Sequence, residues 1–86
     1  MSQEIAIKIE EIKAARENAL DATDQVTRAL DAVWIADDGN ELISRVVEEL
    51  NAANQALASA RRMLRRRQAQ LLREEKARIE LNPNAE

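Results

Sequence analysis

The sequence predicts an all-α protein, a long antiparallel helical hairpin that dimerises into a four-helix bundle. Along two long segments, apolar residues recur at steps of three and four, which places them on one side of an α-helix. The single glycine, Gly39, separates the two segments, so the chain is expected to reverse there. Two helices of an 86-residue chain without cysteine bury too little surface to be stable alone. A homodimer, or a heterodimer with another helical protein, is therefore expected.

The first helix is predicted over residues 3–36, with Ser2 as its N-cap and neither glycine nor proline inside it. Arg16 and Thr23 interrupt its apolar stripe. We expect the stem of Arg16 to pack while its charged head reaches water, and a register-setting contact across a dimer is the alternative. The stripe comprises Ile5, Ile9, Ile12, Arg16, Ala19, Thr23, Val26, Leu30 and Val33.

The turn is predicted over residues 37–40. Gly39 can adopt the left-handed conformation that closes a helix, and Asn40 is then a natural N-cap for the next one. Asp38 is the alternative cap, with Glu41 three residues later as in a capping box. The acidic run from Asp37 to Glu41 lacks the alternating twelve-residue spacing of a calcium loop, so turn and cap chemistry is preferred.

The second helix is predicted over residues 41–81, followed by a frayed tail at 82–86 that contains Pro83. The chain would thus be a single domain. The apolar stripe weakens after Leu64, and a drift onto Leu72 and Ile79 would resemble a stutter. The last third of this helix is expected to extend beyond the bundle or to pack against something different. The stripe comprises Ile43, Val46, Leu50, Ala53, Leu57, Ala60 and Leu64, with Arg67 and Glu74 at the next positions.

Charge is divided between the helices, since the first is acidic and the middle of the second is basic. Folding back at Gly39 would bring Glu4 near Arg73, and three further glutamates of the first helix near arginines that precede Arg73 in the second helix. This complementarity favours an antiparallel hairpin, although it would equally favour an antiparallel contact between two chains. The predicted neighbours are Glu10 and Glu11 with Arg66 and Arg67, and Glu17 with Arg61 and Arg62.

Enzymatic activity is not expected, because the chain has no histidine, cysteine or tyrosine. Its adjacent carboxylate pairs point about 100° apart on a helix and do not converge on a substrate. We therefore predict no catalytic residue, no metal site, no cofactor and no small-molecule substrate. No apolar run reaches the roughly 20 residues that span a bilayer. A cytoplasmic protein is expected, with secretion without a signal peptide as the alternative.

Two surfaces could bind partners besides the predicted bundle seam. Trp34 and Ile35 are the candidate partner contacts, and one of them is expected to face outward, although Trp34 could instead close the end of the bundle. A basic stripe on the second helix could follow a phosphate backbone, but the acidic first helix and the lack of stacking aromatics make nucleic acid unlikely. The seam residues are Ile5, Ile9, Ile12, Val26, Leu30, Val33, Ile43, Val46, Leu50, Leu57 and Leu64, and the basic stripe is Arg61, Arg62, Arg65, Arg66 and Arg73, with Lys76 beside it.

The long first helix, the tripeptide Trp34-Ile35-Ala36 near its end, the tight turn and the second long helix resemble the WXG-type small proteins of type VII secretion. Ala36 stands where that family carries glycine, and the family's tyrosine-containing export signal has no counterpart. The resemblance implies a hairpin that dimerises into a four-helix bundle and is exported with a partner. The architecture also resembles Rop-type regulators, which are dimeric hairpins that bind RNA. Similar hairpins recur in small bacterial and phage proteins.

These observations favour a non-catalytic protein–protein interaction module, such as a small adaptor, an inhibitor or a structural subunit. It would act through a helical-bundle interface. The alternatives are a WXG-like secreted bundle protein and a Rop-like nucleic-acid-binding regulator.

Overall fold

The computed structural model describes residues 3–81, which form two long helices that lie against each other. Helix α1 spans Gln3–Ala36 and helix α2 spans Glu41–Leu81. No strand occurs in this part of the chain, and the rod measures 67 × 14 × 13 Å between Cα atoms. The predicted all-α helical hairpin is confirmed. The predicted cap Ser2 and the predicted tail at 82–86 lie outside the described residues.

Local chemistry fixes the reversal between the helices. Gly39 has φ of +82°, the left-handed conformation that costs other residues about 1–2 kcal/mol. The side-chain oxygen of Asn40 accepts a hydrogen bond from the backbone N–H of Leu42 at 2.8 Å. Its backbone oxygen accepts the first bonds of α2 from Ile43 and Ser44. Asn40 is thus the N-cap of α2.

The two aspartates before Gly39 stabilise the turn. Asp37 Oδ1 accepts a hydrogen bond from the N–H of Gly39 at 2.9 Å, and Asp38 Oδ1 accepts one from the N–H of Asn40 at 3.1 Å. These are short-range bonds to the backbone two residues ahead, the pattern of an Asx turn. The alternative in which Asp38 caps α2 is therefore wrong.

The stripe predicted on α1 is the side of that helix that packs. All of its members, from Ile5 to Val33, are buried or half-buried, including the polar Arg16 and Thr23. Ile9 and Ile12 are the most enclosed. The unbroken alternation of four-residue and three-residue steps keeps this stripe facing α2 along the whole helix.

On α2 the packed side includes every residue of the predicted stripe except Val46, and it extends to Val47, Asn54 and Arg61. Val46 is 41% exposed, whereas its neighbour Val47 is half-buried. From Ile43 onward one set of enclosed residues follows steps of four and three without a break. This set is Ile43, Val47, Leu50, Asn54, Leu57, Arg61, Leu64, Gln68, Leu71, Glu75 and Arg78, and Ala53, Ala58, Ser59, Ala60 and Ala69 are half-buried beside it.

The expected drift of the stripe in the last third of α2 is wrong. Leu72 and Ile79 are exposed, as are Arg67 and Glu74. Leu71 is instead 4% exposed and forms a cluster with Ile9 and Ile12, against which Ile5 and Leu64 pack. The last third of α2 therefore makes the tightest contact with α1.

Neither helix, within residues 3–81, contains a segment that is long and apolar enough to cross a membrane.

Candidate interaction surfaces

The buried core of the hairpin is small. Within residues 3–81 the buried hydrophobic side chains are Ile9, Ile12 and Leu71, and no side chain is less than 2% exposed. Two amphipathic helices can cover only the stripe along which they touch, because a third layer is needed to enclose the remaining apolar surface. Of the predicted seam residues, Ile5, Val26, Leu30, Val33, Ile43, Leu50, Leu57 and Leu64 are half-buried and Val46 is exposed.

Polar side chains occupy part of the helix–helix contact. Arg16 Nη1 donates a hydrogen bond to Oε1 of Gln68 at 2.7 Å, across the two helices. The half-buried Arg16 thus packs at the helix–helix contact as expected, and its head also bonds Gln68 of the same hairpin, while a contact across a dimer stays a prediction. Thr23 Oγ1 donates to the backbone oxygen of Ala19 on its own helix at 3.0 Å. Both polar interruptions of the α1 stripe are thus satisfied locally.

A buried carboxylate lies at the open end of the hairpin. Glu75 is 3% exposed, and both of its oxygens accept hydrogen bonds from Arg78, at 2.6 and 3.3 Å. A bidentate contact of this kind offsets part of the cost of removing the two charges from water. Sequence reasoning missed Gln68, Leu71, Glu75 and Arg78 as contact residues, although Leu71 continues the four-and-three spacing from Leu64.

Asn54 is the least satisfied polar group of the contact. Its side-chain oxygen is buried and has no hydrogen-bond partner among residues 3–81. A buried amide oxygen without a partner costs about 1–3 kcal/mol. Asn54 therefore lowers the stability of the hairpin, as polar residues at core positions of coiled coils do when they select one pairing.

Large apolar side chains are exposed around the turn. Trp34 is 59% exposed and Ile35 is 88% exposed at the end of α1. Leu42 and Val46, in the first turns of α2, are exposed as well. Trp34 does not close the end of the hairpin, and both residues of the Trp34–Ile35 pair face outward rather than one. We call these four residues the turn-end cluster.

The ion pairs among residues 3–81 all join residues of the same helix. None of the predicted contacts between acidic α1 and basic α2 is formed as an ion pair in this part of the chain. Three of the four pairs join residues three or four apart, which are neighbours on a helix surface, and the fourth joins residues seven apart. The pairs are Lys8–Glu11 at 3.3 Å, Glu41–Arg45 at 3.1 Å, Arg67–Glu74 at 3.5 Å and Glu75–Arg78 at 2.6 Å.

The basic stripe is divided by the fold. Arg61 is half-buried at the contact with α1. Arg62, Arg65, Arg66 and Arg73 are exposed and take part in no ion pair within residues 3–81. The carboxylates of α1 therefore leave these four arginines free to meet an anion.

An open groove of about 250 Å³ lies beside this stripe, between the helices. Three of its lining residues are cationic and one is acidic, so a small anionic group would be attracted to it. Its lining consists of Lys13, Arg16, Glu17, Leu20 and Arg61. Histidine, cysteine, aspartate and glutamate side chains form no group that could hold a metal ion among residues 3–81.

Comparison with known proteins adds no assignment to these surfaces. No protein-family model matches the chain, and neither a curated protein nor a solved structure matches it.

Proposed function

We propose that this chain is a non-catalytic protein–protein interaction module that acts through a helical-bundle interface. The observation that carries the proposal is the disproportion between a very small buried core and extensive exposed apolar surface. Contiguous exposed apolar patches mark interaction sites on soluble proteins. A partner that covered them would also stabilise the hairpin, because binding to the folded state shifts the folding equilibrium.

The turn-end cluster is the strongest candidate for direct contact with another protein. Trp34 has a large side chain with few rotatable bonds, which is why tryptophan is enriched at binding hot spots. Ile35 and Leu42 lie on either side of the turn and are exposed as well. Truncation of a hot-spot residue costs about 2 kcal/mol or more of binding free energy.

The test uses Trp34 as an intrinsic fluorophore, since the chain has no other aromatic residue. Proteins retained by the immobilised chain from its native host are purified and titrated against it, and affinities are measured by calorimetry because Trp34→Ala removes the fluorophore. We expect a blue shift of Trp34 emission on binding, and we expect Trp34→Ala to weaken binding by about 30-fold or more, the equivalent of a hot-spot loss. Ile7→Ala is the matched control, because Ile7 is 55% exposed at the opposite end of α1.

Helicity is measured by circular dichroism for both variants, so that a folding defect is not mistaken for lost binding. Unchanged binding by Trp34→Ala, or equal losses in the two variants, would contradict a role for the turn-end cluster.

A nucleic-acid-binding regulator is a second candidate, favoured by the four exposed arginines of the basic stripe that α1 leaves unpaired. Arg62, Arg65 and Arg66 lie within one turn of α2, and Arg73 follows about 10 Å further along the axis. Such a row could contact successive phosphates. Affinity for RNA should then fall steeply with salt, and the slope should decrease by about one for each phosphate contact removed.

The measurement is a salt titration of RNA binding by the wild type and by the triple variant R62A/R65A/R66A. Arg28→Ala serves as a control on the other helix, because Arg28 is exposed and lies outside the basic stripe. A binding constant that ignores salt, or a triple variant that binds like the wild type, excludes this candidate.

A further inference from the structure

We propose that a second copy of this chain docks on one particular broad side of the hairpin, with the two turns at the same end. This inference rests on the proposed function and names both the surface and its occupant. It follows from the phase of the contact stripe. That phase places each remaining residue on one side of the contact, on the opposite side, or on the back of its helix.

The contact stripe defines a heptad frame for both helices. On α1 the a positions include Ile9 and Arg16, and on α2 they include Asn54 and Arg61. In an antiparallel pair, the g positions of both helices flank the contact on one side and the e positions flank it on the other. The c positions continue the g side outward, and the b positions continue the e side.

The g and c positions near the turn form an almost uncharged surface, which we call the apolar face. Its one charged residue is Glu49, and it includes exposed Leu42, Val46 and Met63. Alanines fill most of the rest, which allows another helix to approach closely. On α1 the face consists of Ala15, Asn18, Ala22, Gln25, Ala29, Ala32 and Ala36, and on α2 of Leu42, Val46, Glu49, Ala53, Ala56, Ala60 and Met63.

The opposite side of the same stretch is much more polar, and we call it the charged face. Its e and b positions carry Glu17, Asp24 and Asp31 on α1, and Glu48 and Arg62 on α2. None of these five forms an ion pair within residues 3–81. Charged residues are depleted at the centres of protein interfaces, because each must be desolvated on binding. The e positions of this side also carry the exposed Leu20 and Trp34. Its five unpaired charges nevertheless make the charged face the costlier one to cover along its length, so the apolar face is the side that a second copy would cover.

Beyond the apolar face, the same side of the rod carries charged residues that pair with one another. Lys8 pairs with Glu11 and Arg67 pairs with Glu74, and all four residues lie at g or c positions. These four groups need no counter-charge from a partner, so they add little net charge beside the apolar face. A surface of this kind suits another uncharged helical face, and a second copy supplies one.

Size and charge both fit a second copy. From Leu42 to Met63 the face is about 32 Å long, and two packed helices are about 20 Å wide. Each copy would bury about 600 Å², so a dimer would bury about 1,200 Å², the lower limit for specific interfaces. The unpaired Glu49 also has a counterpart in Arg28, at the adjoining f position of α1 and likewise without an ion pair in the described residues.

The position of the apolar face sets the orientation. It occupies the part of the rod nearest the turn, so two faces overlap fully only when both turns lie at the same end. A two-fold axis along the rod then places α1 of one copy on α2 of the other. The numbers of residues that oppose each other in the hairpin sum to about 80, as they do for Ile9 and Leu71. Arg28 of one copy therefore lies within about 5 Å of Glu49 of the other, measured along the rod axis.

The test compares adjacent substitutions on the two faces by sedimentation equilibrium of the purified chain. Ala56→Glu adds a carboxylate to the apolar face, and Gln55→Glu adds one to the charged face. Both positions are exposed in the hairpin, so neither change alters its packing. We expect a dimeric wild type, an unchanged Gln55→Glu, and a dissociation constant raised about tenfold or more in Ala56→Glu, in which two carboxylates would be desolvated.

The orientation of the two copies is tested with pyrene attached to the cysteine of an Asp38→Cys variant. The label has one attachment site, because the chain has no native cysteine. Turns at the same end give excimer emission from the dimer, whereas pyrenes on a dimer with opposed turns are too far apart.

A monomeric wild type at millimolar concentration, equal effects of Ala56→Glu and Gln55→Glu, or a dimer without excimer emission would overturn this inference. These outcomes leave the proposed function standing if the Trp34-dependent binding described above persists, since Trp34 lies at an e position outside the apolar face. If Trp34-dependent binding is absent while the chain still dimerises as described, the dimer inference stands and the proposed contact at the turn-end cluster fails.

Discussion

Replacement of Leu71 by alanine tests the phase of the helix–helix contact, with Leu72 as the adjacent control. The substitution removes three carbon atoms in either case. Leu71 is 4% exposed and belongs to the Ile9–Ile12 cluster, whereas Leu72 is 48% exposed. The two residues are neighbours on one helix, so helix propensity and chain position are matched.

The magnitudes follow from burial. Three buried carbons are worth about 2.4 kcal/mol of transfer free energy, and a residual cavity adds to this, so Leu71→Ala should cost about 2–3 kcal/mol. Leu72→Ala should cost about 1 kcal/mol, because only half of that surface is removed from water. A difference of about 1.5 kcal/mol corresponds to about 6–12 °C in the melting temperature of a domain of this size.

The assay is urea and thermal unfolding followed by circular dichroism, at one fixed chain concentration because association contributes to apparent stability. Equal losses of unfolding free energy in the two variants, or a larger loss in Leu72→Ala, would refute the assigned phase. That result would restore the drift of the stripe onto Leu72 and Ile79.

Two further substitutions test the polar groups of the fold. Asn54→Leu should raise the free energy of unfolding by about 1–2 kcal/mol, because it removes a buried oxygen without a partner among the described residues. Urea unfolding midpoints at a fixed chain concentration measure this change. A lower midpoint in the variant would show that Asn54 is satisfied in solution. Asn40→Ala should lower the free energy of unfolding by about 1 kcal/mol through loss of the N-cap, while Asp38→Ala should cost less. Thermal melts of the two variants would contradict the assigned cap if Asp38→Ala were the more damaging.

The turn and the α1 stripe could be predicted from the sequence because their causes are local. The φ of Gly39 and the Asn40 cap depend on residues no more than two positions away. The α1 stripe has one apolar phase without a competitor, so its spacing decides which side packs. Helix ends at Ala36 and Glu41 follow from the same local chemistry.

The packed side of α2 could not be chosen in the same way, since two neighbouring phases compete there. They share Ile43, Leu50, Leu57 and Leu64, and differ in whether Ala53 or Asn54 comes between. Hydrophobicity favours the alanine, but Ala53 and Asn54 are both half-buried, and Leu71 belongs to both phases. Following the seven-residue spacing from Leu64 to Leu71 would have excluded the drift onto Leu72, but it would not have separated the two phases.

The predicted charge pairs failed for a different reason. Complementary blocks on two helices show which helix attracts which, but not which atoms meet, because exposed ion pairs contribute little and compete with pairs inside each helix. Arg67 bonds Glu74 on its own helix instead of Glu10 or Glu11 on α1. A long-range attraction is compatible with many local pairings, so sequence alone does not select one.

In the proposed dimer the two phases of α2 have different partners, since one contacts α1 and the other contacts the second copy. Each helix of a four-helix bundle contacts two neighbours, so it needs an apolar surface wider than one contact stripe. The phase with Asn54 and Arg61 contacts α1 within the hairpin, and the phase with Ala53 and Ala60 lies beside it on the apolar face. Val46, Ala53 and Ala60, which the sequence pattern placed on the apolar stripe, are thus residues that the second copy would cover. If Ala56→Glu leaves the proposed dimer intact, the width of the α2 stripe has no such explanation.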